Sequence, residues 1–126
     1  MDLYFLDTNA TIWLYQGELE YFDKQILTIM EKHDLYISPM VTLELQYLYE
    51  IDRIKKSGDK IVSELYKSIG LQVHNIPLTV LIEKALTEEW TRDPFDRLIT
   101  THAKLEDAYL ITKDKTILKN YKRAIW

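Results

Sequence analysis

Short apolar runs alternate with longer segments of helical periodicity along the whole chain, and this alternation most limits the possible folds. Each apolar run has the length of a strand and is bounded by turn or capping residues. The amphipathic segments between the runs are long enough to cross from one parallel strand to the next. The sequence therefore predicts an α/β fold built on a parallel sheet with right-handed crossovers.

The predicted elements cover most of one domain, residues 1–126. The first strand is apolar throughout and is expected at the centre of the sheet, whereas the third and fifth are expected nearer the edges. The predicted strands are residues 2–6, 35–38, 71–76, 108–112 and 124–126. The predicted helices are residues 10–15, 18–32, 40–56, 59–69, 78–87, 94–106 and 115–121.

The composition excludes several classes of protein. No window approaches the ~20 apolar residues of a membrane span, and the N-terminus lacks the basic and apolar regions of a signal peptide. The chain has no cysteine, which excludes disulfides and thiolate metal sites. These features indicate a cytoplasmic protein. The net charge is −4, but residues 91–126 carry five acids and eight bases, a local charge of +3. We interpret this basic segment as a surface that contacts phosphates.

Residues 92–97, Arg-Asp-Pro-Phe-Asp-Arg, place two carboxylates around a proline. Pro94 suits the first position of a helix, which makes Asp93 its N-cap and puts Asp96 in its first turn. Both acids are also ordinary residues at the start of a helix. The stretch becomes informative only together with the carboxylates at the ends of other elements.

Acidic residues are predicted to meet at one edge of the sheet. Asp7 follows the first strand, Asp114 follows the fourth, and Asp96 lies in the first turn of the helix before that strand. Ligands of open parallel sheets bind beyond the carboxyl ends of the strands. As an alternative, Asp7 and Asp114 simply cap the helices that follow them.

Glu44 is an unusual carboxylate because it lies inside the apolar run 41–49, with no base at helical spacing. Burying it without a partner would be costly. Several acids at one edge repel one another and have raised pKa values, and a hard divalent cation such as Mg²⁺ relieves that repulsion. Such a site supports hydrolysis of a phosphodiester.

Other polar residues have supporting roles in this hypothesis. Hydroxyl and amide groups next to the acids are expected to orient carboxylates, water or phosphate: Thr8, Asn9 and Thr112. Basic residues near the acids are predicted phosphate contacts: Arg92, Arg97 and Lys113. The histidines have no shared spacing typical of zinc sites, and we predict no role for them: His33, His74 and His102.

Together these motifs resemble the PIN domain family, and more narrowly the VapC-type toxins of prokaryotic toxin–antitoxin pairs. The resemblance spans nearly the whole chain and is most specific at the Asp-Pro-Phe-Asp-Arg element. The segments that carry it are Leu6-Asp7-Thr8-Asn9, Ser38 with Glu44, residues 90–99, and Thr112-Lys113-Asp114. The family implies a three-layer sandwich with a parallel sheet of four to five strands between helices.

The resemblance also implies a function. It indicates an Mg²⁺- or Mn²⁺-dependent ribonuclease that often forms homodimers and is inhibited by a small antitoxin. The family's four acids correspond to Asp7, Glu44, Asp96 and Asp114, and Asp93 is an accessory metal ligand. Two alternatives remain: a receiver-like phospho-signalling module with an acidic Mg²⁺ pocket, and a non-catalytic PIN-like domain that binds RNA or protein.

Overall fold

The computed structural model describes all 126 residues of the chain, Met1 to Trp126, as five strands and the helices that flank them. The strands are β1 (Tyr4–Leu6), β2 (Leu35–Ile37), β3 (Gln72–Val73), β4 (Tyr109–Ile111) and β5 (Ala124–Ile125). The α-helices are α1 (Thr8–Gln16), α2 (Lys24–Lys32), α3 (Pro39–Glu50), α4 (Gly58–Ile69), α5 (Leu78–Ala85), α6 (Pro94–Leu105) and α7 (Lys115–Asn120), and a 3₁₀ helix spans Leu19–Tyr21. None of these helices has the length and apolar character that crossing a membrane requires.

The five strands form one sheet in the order β3-β2-β1-β4-β5, with every neighbouring pair parallel. Strand β1 is central and fully buried, as its apolar composition predicted, and β3 and β5 are the edges. The predicted α/β class, the parallel sheet and its helical layers are confirmed. The strand order differs from the 2-1-3-4-5 order of receiver-type folds, so the receiver-like alternative is wrong.

The structure corrects three of the predicted elements. The predicted helix 18–32 is a 3₁₀ turn followed by α2, because Asp23 is extended (φ −63°, ψ 149°) and Phe22 turns into the core. The predicted helix 40–56 ends at Glu50, since Asp52 takes a left-handed conformation (φ 62°) in a strongly charged segment. The predicted strand 71–76 keeps only two residues, because it pairs on one side only and leads into a proline, which has no N–H to donate.

Helices α3 and α4 pack unusually closely where α4 begins. A Cβ atom placed on Gly58 would lie 2.5 Å from the carbonyl oxygen of Thr42 and 2.9 Å from the amide nitrogen of Gln46. The side chain of Gln46 accepts a hydrogen bond from the amide of Gly58 over 3.2 Å. Gly58 therefore sets how closely α4 approaches α3, the helix that carries Glu44.

Candidate active site

The site lies where the direction of the chain connections changes. Strands β1 and β4 are neighbours in the sheet, but the chain leaves β1 towards β2 on one side and leaves β4 towards β5 on the other. In open parallel sheets such a switch point opens a crevice beyond the carboxyl ends of the strands. Asp7 directly follows β1 and Thr112 directly follows β4, and the amide of Asp7 donates to the carbonyl of Ile111 over 3.2 Å.

Asp7 is buried at this point, with 7% of its surface exposed. One carboxylate oxygen, Oδ1, accepts from the amide of Ala10 over 2.9 Å, and the other, Oδ2, accepts from the hydroxyl of Thr112 over 2.5 Å. Burial raises the pKa of Asp7 to about 6 although both hydrogen bonds lower it, and the charges of Asp114 and Glu44 raise it further. Burial thus destabilises the charged form of Asp7, while the two hydrogen bonds fix the orientation of its carboxylate.

Helix α3 brings Glu44 to the same site. The hydroxyl of Thr8, the first residue of α1, donates to Oε1 of Glu44 over 2.5 Å. Partial burial raises the pKa of Glu44, the hydrogen bond from Thr8 lowers it, and the charge of Asp93 raises it. Thr8, predicted to support the site, therefore does contact one of its acids. Glu44, for which the sequence offered no basic partner, is hydrogen-bonded by a hydroxyl group instead.

Asp93 and Asp96 enter the site at the start of α6. Asp93 is the N-cap, and its Oδ1 accepts from the amides of Phe95 over 2.9 Å and Asp96 over 3.0 Å. Burial raises the pKa of Asp96 to about 7, and the charges of Asp93, Asp114, Glu44 and Asp7 raise it as well. All four other acids are therefore near enough to Asp96 for their charges to affect it.

Asp114 closes the group on the side of β4. It is the N-cap of α7, with Oδ1 accepting from the amides of Thr116 over 2.8 Å and Ile117 over 3.0 Å. Its own amide donates to the hydroxyl of Thr112 over 3.0 Å. Capping and membership of the acidic group were alternative interpretations of the sequence. In the structure Asp7, Asp93 and Asp114 do both: they cap α1, α6 and α7, and their charges act on Asp96.

The acidic group fits a divalent cation in its charge and in its donor atoms. None of its five carboxylates forms an ion pair with a lysine, arginine or histidine, and all its donors are oxygen, which Mg²⁺ and Mn²⁺ prefer. No three acidic or histidine side chains converge closely enough to enclose one ion by themselves. One or two carboxylates with water and substrate phosphate are sufficient for Mg²⁺, and the five-residue ligand set stays a prediction.

The predicted phosphate contacts differ in their surroundings. Arg97 donates to the carbonyls of Ala85 over 2.7 Å and Leu86 over 3.3 Å, at the C-terminal end of α5. Arg92 donates to the carbonyl of Glu89 over 2.8 Å. Lys113 is exposed, between Thr112 and Asp114 in the chain. Asn9 is exposed in the first turn of α1. Their roles towards RNA stay predictions, and Lys113 is the best placed.

The sequence interpretation missed a pairing of two histidines. His74, just beyond β3, lies with its Nδ1 3.3 Å from Nε2 of His102, and its Nε2 is 3.4 Å from Oε1 of Glu106. His102 is fully buried in α6 against Phe5 of β1. Burial, and then the nearby His74, lower the pKa of His102 to about 4. No spacing in the sequence could indicate this pair, because its members lie on different elements.

Comparison with known proteins supports this description of the fold. A family model described as PIN domain matches residues 4–123 of the chain. No curated protein sequence matches significantly. Among solved structures, VapBC2 from Rickettsia felis bound to a DNA fragment from their promoter is similar with a TM-score of 0.67 and 21% identity, covering 94% of this chain and 92% of that chain.

A second solved structure is similar in the same way. DNA-bound VapBC from Salmonella typhimurium matches with a TM-score of 0.60 and 16% identity, again covering 94% of this chain and 92% of that chain. At these identities the similarity to both structures shows the fold alone. The family match covers nearly the whole chain, from the first residue of β1 to just before β5.

Proposed function

The chain belongs to the PIN domain family, and on this premise we propose that it is a divalent-metal-dependent endoribonuclease, the toxin of a VapC-type toxin–antitoxin pair. The observation that carries the proposal is the group of five carboxylates around the switch point of the sheet, of which Asp7 and Glu44 are held by threonine hydroxyls and none forms an ion pair. Folding concentrates this negative charge at a cost in stability, as the raised pKa of Asp96 indicates. Ionisable groups with strongly shifted pKa values are typical of functional sites.

We assign the residues as follows. Asp7 and Asp96 are the principal metal ligands, because Asp7 is oriented by two hydrogen bonds and Asp96 lies under the influence of all the other charges. Glu44 and Asp114 complete the acidic group, with Asp93 as an accessory ligand. Thr8 and Thr112 hold Glu44 and Asp7 in place through their hydroxyls, and Asn9 is available to orient water or phosphate.

The bound Mg²⁺ or Mn²⁺ would act as a Lewis acid that stabilises charge on the phosphodiester and lowers the pKa of water. The protein positions the reacting groups around it. Acids of the group cap the N-termini of α1, α6 and α7, and the dipoles of these helices favour the negative charge of a nearby phosphate. The side chain of Lys113, and the guanidinium groups of Arg92 and Arg97, are the proposed contacts to the RNA backbone.

We further propose that a small antitoxin protein and a second copy of the chain are its protein partners. Two structural neighbours are VapBC complexes, which supports an antitoxin. Large apolar side chains are exposed on α3 and α5, including Leu43 at 54% and Leu78 at 66% exposure. Both helices pack against α6, and contiguous exposed apolar surface is typical of interaction sites.

The test is cleavage of a mixed pool of structured RNAs by the purified protein with Mg²⁺, with Mn²⁺ and with EDTA. Asp7→Asn should abolish cleavage and keep the circular dichroism spectrum of the wild type. Asp59→Asn, which changes an exposed acid in the first turn of α4, is the matched control and should cleave as the wild type does.

Metal binding is measured separately, as the rise in unfolding temperature that Mg²⁺ or Mn²⁺ produces in the intact protein. We expect a rise in the wild type and in Asp59→Asn, and none in Asp7→Asn. Metal-dependent cleavage that persists in Asp7→Asn would contradict the assignment of the site. Absence of both metal binding and cleavage would favour the non-catalytic alternative.

A further inference from the structure

An aromatic cluster formed by Trp13, Tyr21 and Trp126 lies beside the acidic group. The ring of Trp13 stacks on Tyr21 with centroids 5.0 Å apart and meets Trp126 edge-on with centroids 5.7 Å apart. The cluster is not part of the closed core: Tyr21 is 43% exposed, and the two tryptophans are only partly buried. Part of the cluster, above all Tyr21, is therefore accessible to solvent.

A basic side chain completes this cluster. The Nζ atom of Lys113 lies 5.7 Å from the ring centroid of Tyr21, 5.9 Å from that of Trp126 and 6.0 Å from that of Trp13. These distances are those of weak cation–π contacts. Lys113 forms no ion pair with any acid. Its ammonium group is thus held in position by aromatic rings while its N–H groups stay available to an anion.

Two chain connections join the aromatic cluster to the acidic group. Trp13 lies on α1, the helix whose N-cap is Asp7, about 9 Å along the helix axis. Lys113 stands between Thr112, whose hydroxyl holds Asp7, and Asp114. A phosphate bound at the acids and a base placed on the aromatic rings would therefore belong to neighbouring parts of one strand.

We propose that the aromatic cluster with Lys113 is a subsite for an unpaired nucleobase of the RNA next to the phosphodiester that is cut. The base stacks on the exposed ring of Tyr21, and the ammonium group of Lys113 contacts the phosphate of the same or the neighbouring nucleotide. This inference rests on the proposed function and adds to it a binding site for one base beside the cut bond. Stacking needs a base outside a helix, so the subsite takes an unpaired base.

The first experiment measures binding without cleavage. A short, fluorescently labelled single-stranded RNA of mixed sequence is titrated with the intact protein in EDTA, beside the same RNA annealed to its complement. Removing one stacking platform typically weakens such binding about 5- to 150-fold. We expect the single strand to bind more tightly than the duplex, and Tyr21→Leu and Lys113→Met each to lose affinity for the single strand in this range.

Conservative variants separate stacking from a structural role. Tyr21→Phe keeps the ring and should bind the single strand much more tightly than Tyr21→Leu. Lys113→Arg keeps the charge and should bind it much more tightly than Lys113→Met. Tyr66→Leu and Lys60→Met change an exposed tyrosine and an exposed lysine of α4 and serve as matched controls with wild-type affinity. Ultraviolet cross-linking of the labelled RNA, mapped by mass spectrometry, should identify the peptides that contain Tyr21 or Trp13.

The outcomes separate this inference from the nuclease. If the single strand binds in a way that depends on Tyr21, the subsite is supported. If the same protein cleaves no RNA, only the proposed nuclease activity is overturned. If the wild type cleaves RNA but Tyr21→Leu binds and cleaves as well as Tyr66→Leu, the subsite is wrong and the nuclease stands. If Tyr21→Leu changes only the affinity for a protein partner, the aromatic cluster is a protein interface and the inference is overturned.

Discussion

The hydroxyl of Thr112 donates to Oδ2 of Asp7 over 2.5 Å, although the two residues are 105 positions apart in the chain. The same hydroxyl accepts a hydrogen bond from the amide of Asp114 over 3.0 Å. Thr112 thereby links the acid after the central strand to the acid that caps α7. This one oxygen joins the two sides of the switch point, and its removal should affect both sides.

We predict that Thr112→Val destabilises the protein by about 2–3 kcal/mol, because it leaves a buried carboxylate oxygen and an amide without partners. The hydrogen bond from Thr112 also lowers the pKa of Asp7. Its loss should raise that pKa and shift the acid side of the pH–rate profile for RNA cleavage to higher pH. Thr112→Ser keeps the hydroxyl and should keep the wild-type profile. Identical profiles for Val and wild type would contradict the role of this contact.

We predict that Asp96→Asn abolishes cleavage and yet stabilises the metal-free protein. Burial and four neighbouring charges raise the pKa of Asp96 from 3.8 to about 7. Between these values the folded state binds more protons than the unfolded state, so stability falls as pH rises through this range. Removing the charge should add about 1–3 kcal/mol at pH 8, since solvent screens part of the effect at this partly exposed residue.

Urea unfolding in EDTA measures this gain. It should be large at pH 8 and small near pH 4, where Asp96 is protonated in the folded protein. Glu83→Gln, an exposed acid of α5, is the matched control and should change stability little at either pH. An Asp96→Asn variant less stable than the wild type at pH 8 would show that the carboxylates do not repel one another as the structure implies.

We predict that His102 opposes the gain in stability that mild acid gives through Asp7 and Asp96. The pKa of His102 is 6.5 in an ordinary environment and about 4 in the folded protein. Between these values the unfolded state binds more protons at this residue, so its contribution lowers the free energy of unfolding as pH falls from about 6.5 to 4, by ~3 kcal/mol at most. Two titratable groups face it in turn: His74 contacts His102, and Glu106 contacts His74.

The test compares unfolding at pH 7.5 and pH 4.5 for the wild type and His102→Leu. The variant loses the contact with His74 and should be less stable at pH 7.5, but the change to pH 4.5 should alter its free energy of unfolding more favourably than that of the wild type. His33→Gln, at an exposed position, is the control and should respond to pH as the wild type does. An equal response in His102→Leu would contradict the role of His102.

We predict that Gly58→Ala destabilises the protein by about 1–3 kcal/mol, because its Cβ would collide with backbone atoms of α3 at Thr42 and Gln46. These backbone atoms cannot rotate away from the new Cβ as a flexible side chain could. The two helices must therefore separate, which displaces Glu44. Cleavage should therefore fall in the folded protein as well. Gly17→Ala is the comparison: it has a strained φ of 71° but open space around it, and it should reduce stability with little effect on cleavage.

Local rules recovered the elements that depend on neighbouring residues. Apolar runs marked the central strand β1 and the edge strands, and Asp93-Pro94 marked the start of α6 within one residue. The same rules failed for residues 18–32 and 40–56, where the helical pattern continues but Asp23 and Asp52 leave the helical conformation. Periodicity reports which face is apolar, and it does not report where the backbone turns.

Sequence position alone was enough to propose Asp7, Asp96 and Asp114 as members of one site, because capping and strand ends are set by short-range chemistry. Only the tertiary structure decided which hydroxyl holds which carboxylate, as Thr112 does for Asp7 and Thr8 for Glu44. It also brought His74 to His102 and placed Lys113 among the rings of Trp13, Tyr21 and Trp126. These contacts join distant segments, and they exist because sheet order and helix packing bring those segments together, which no local pattern in the sequence encodes.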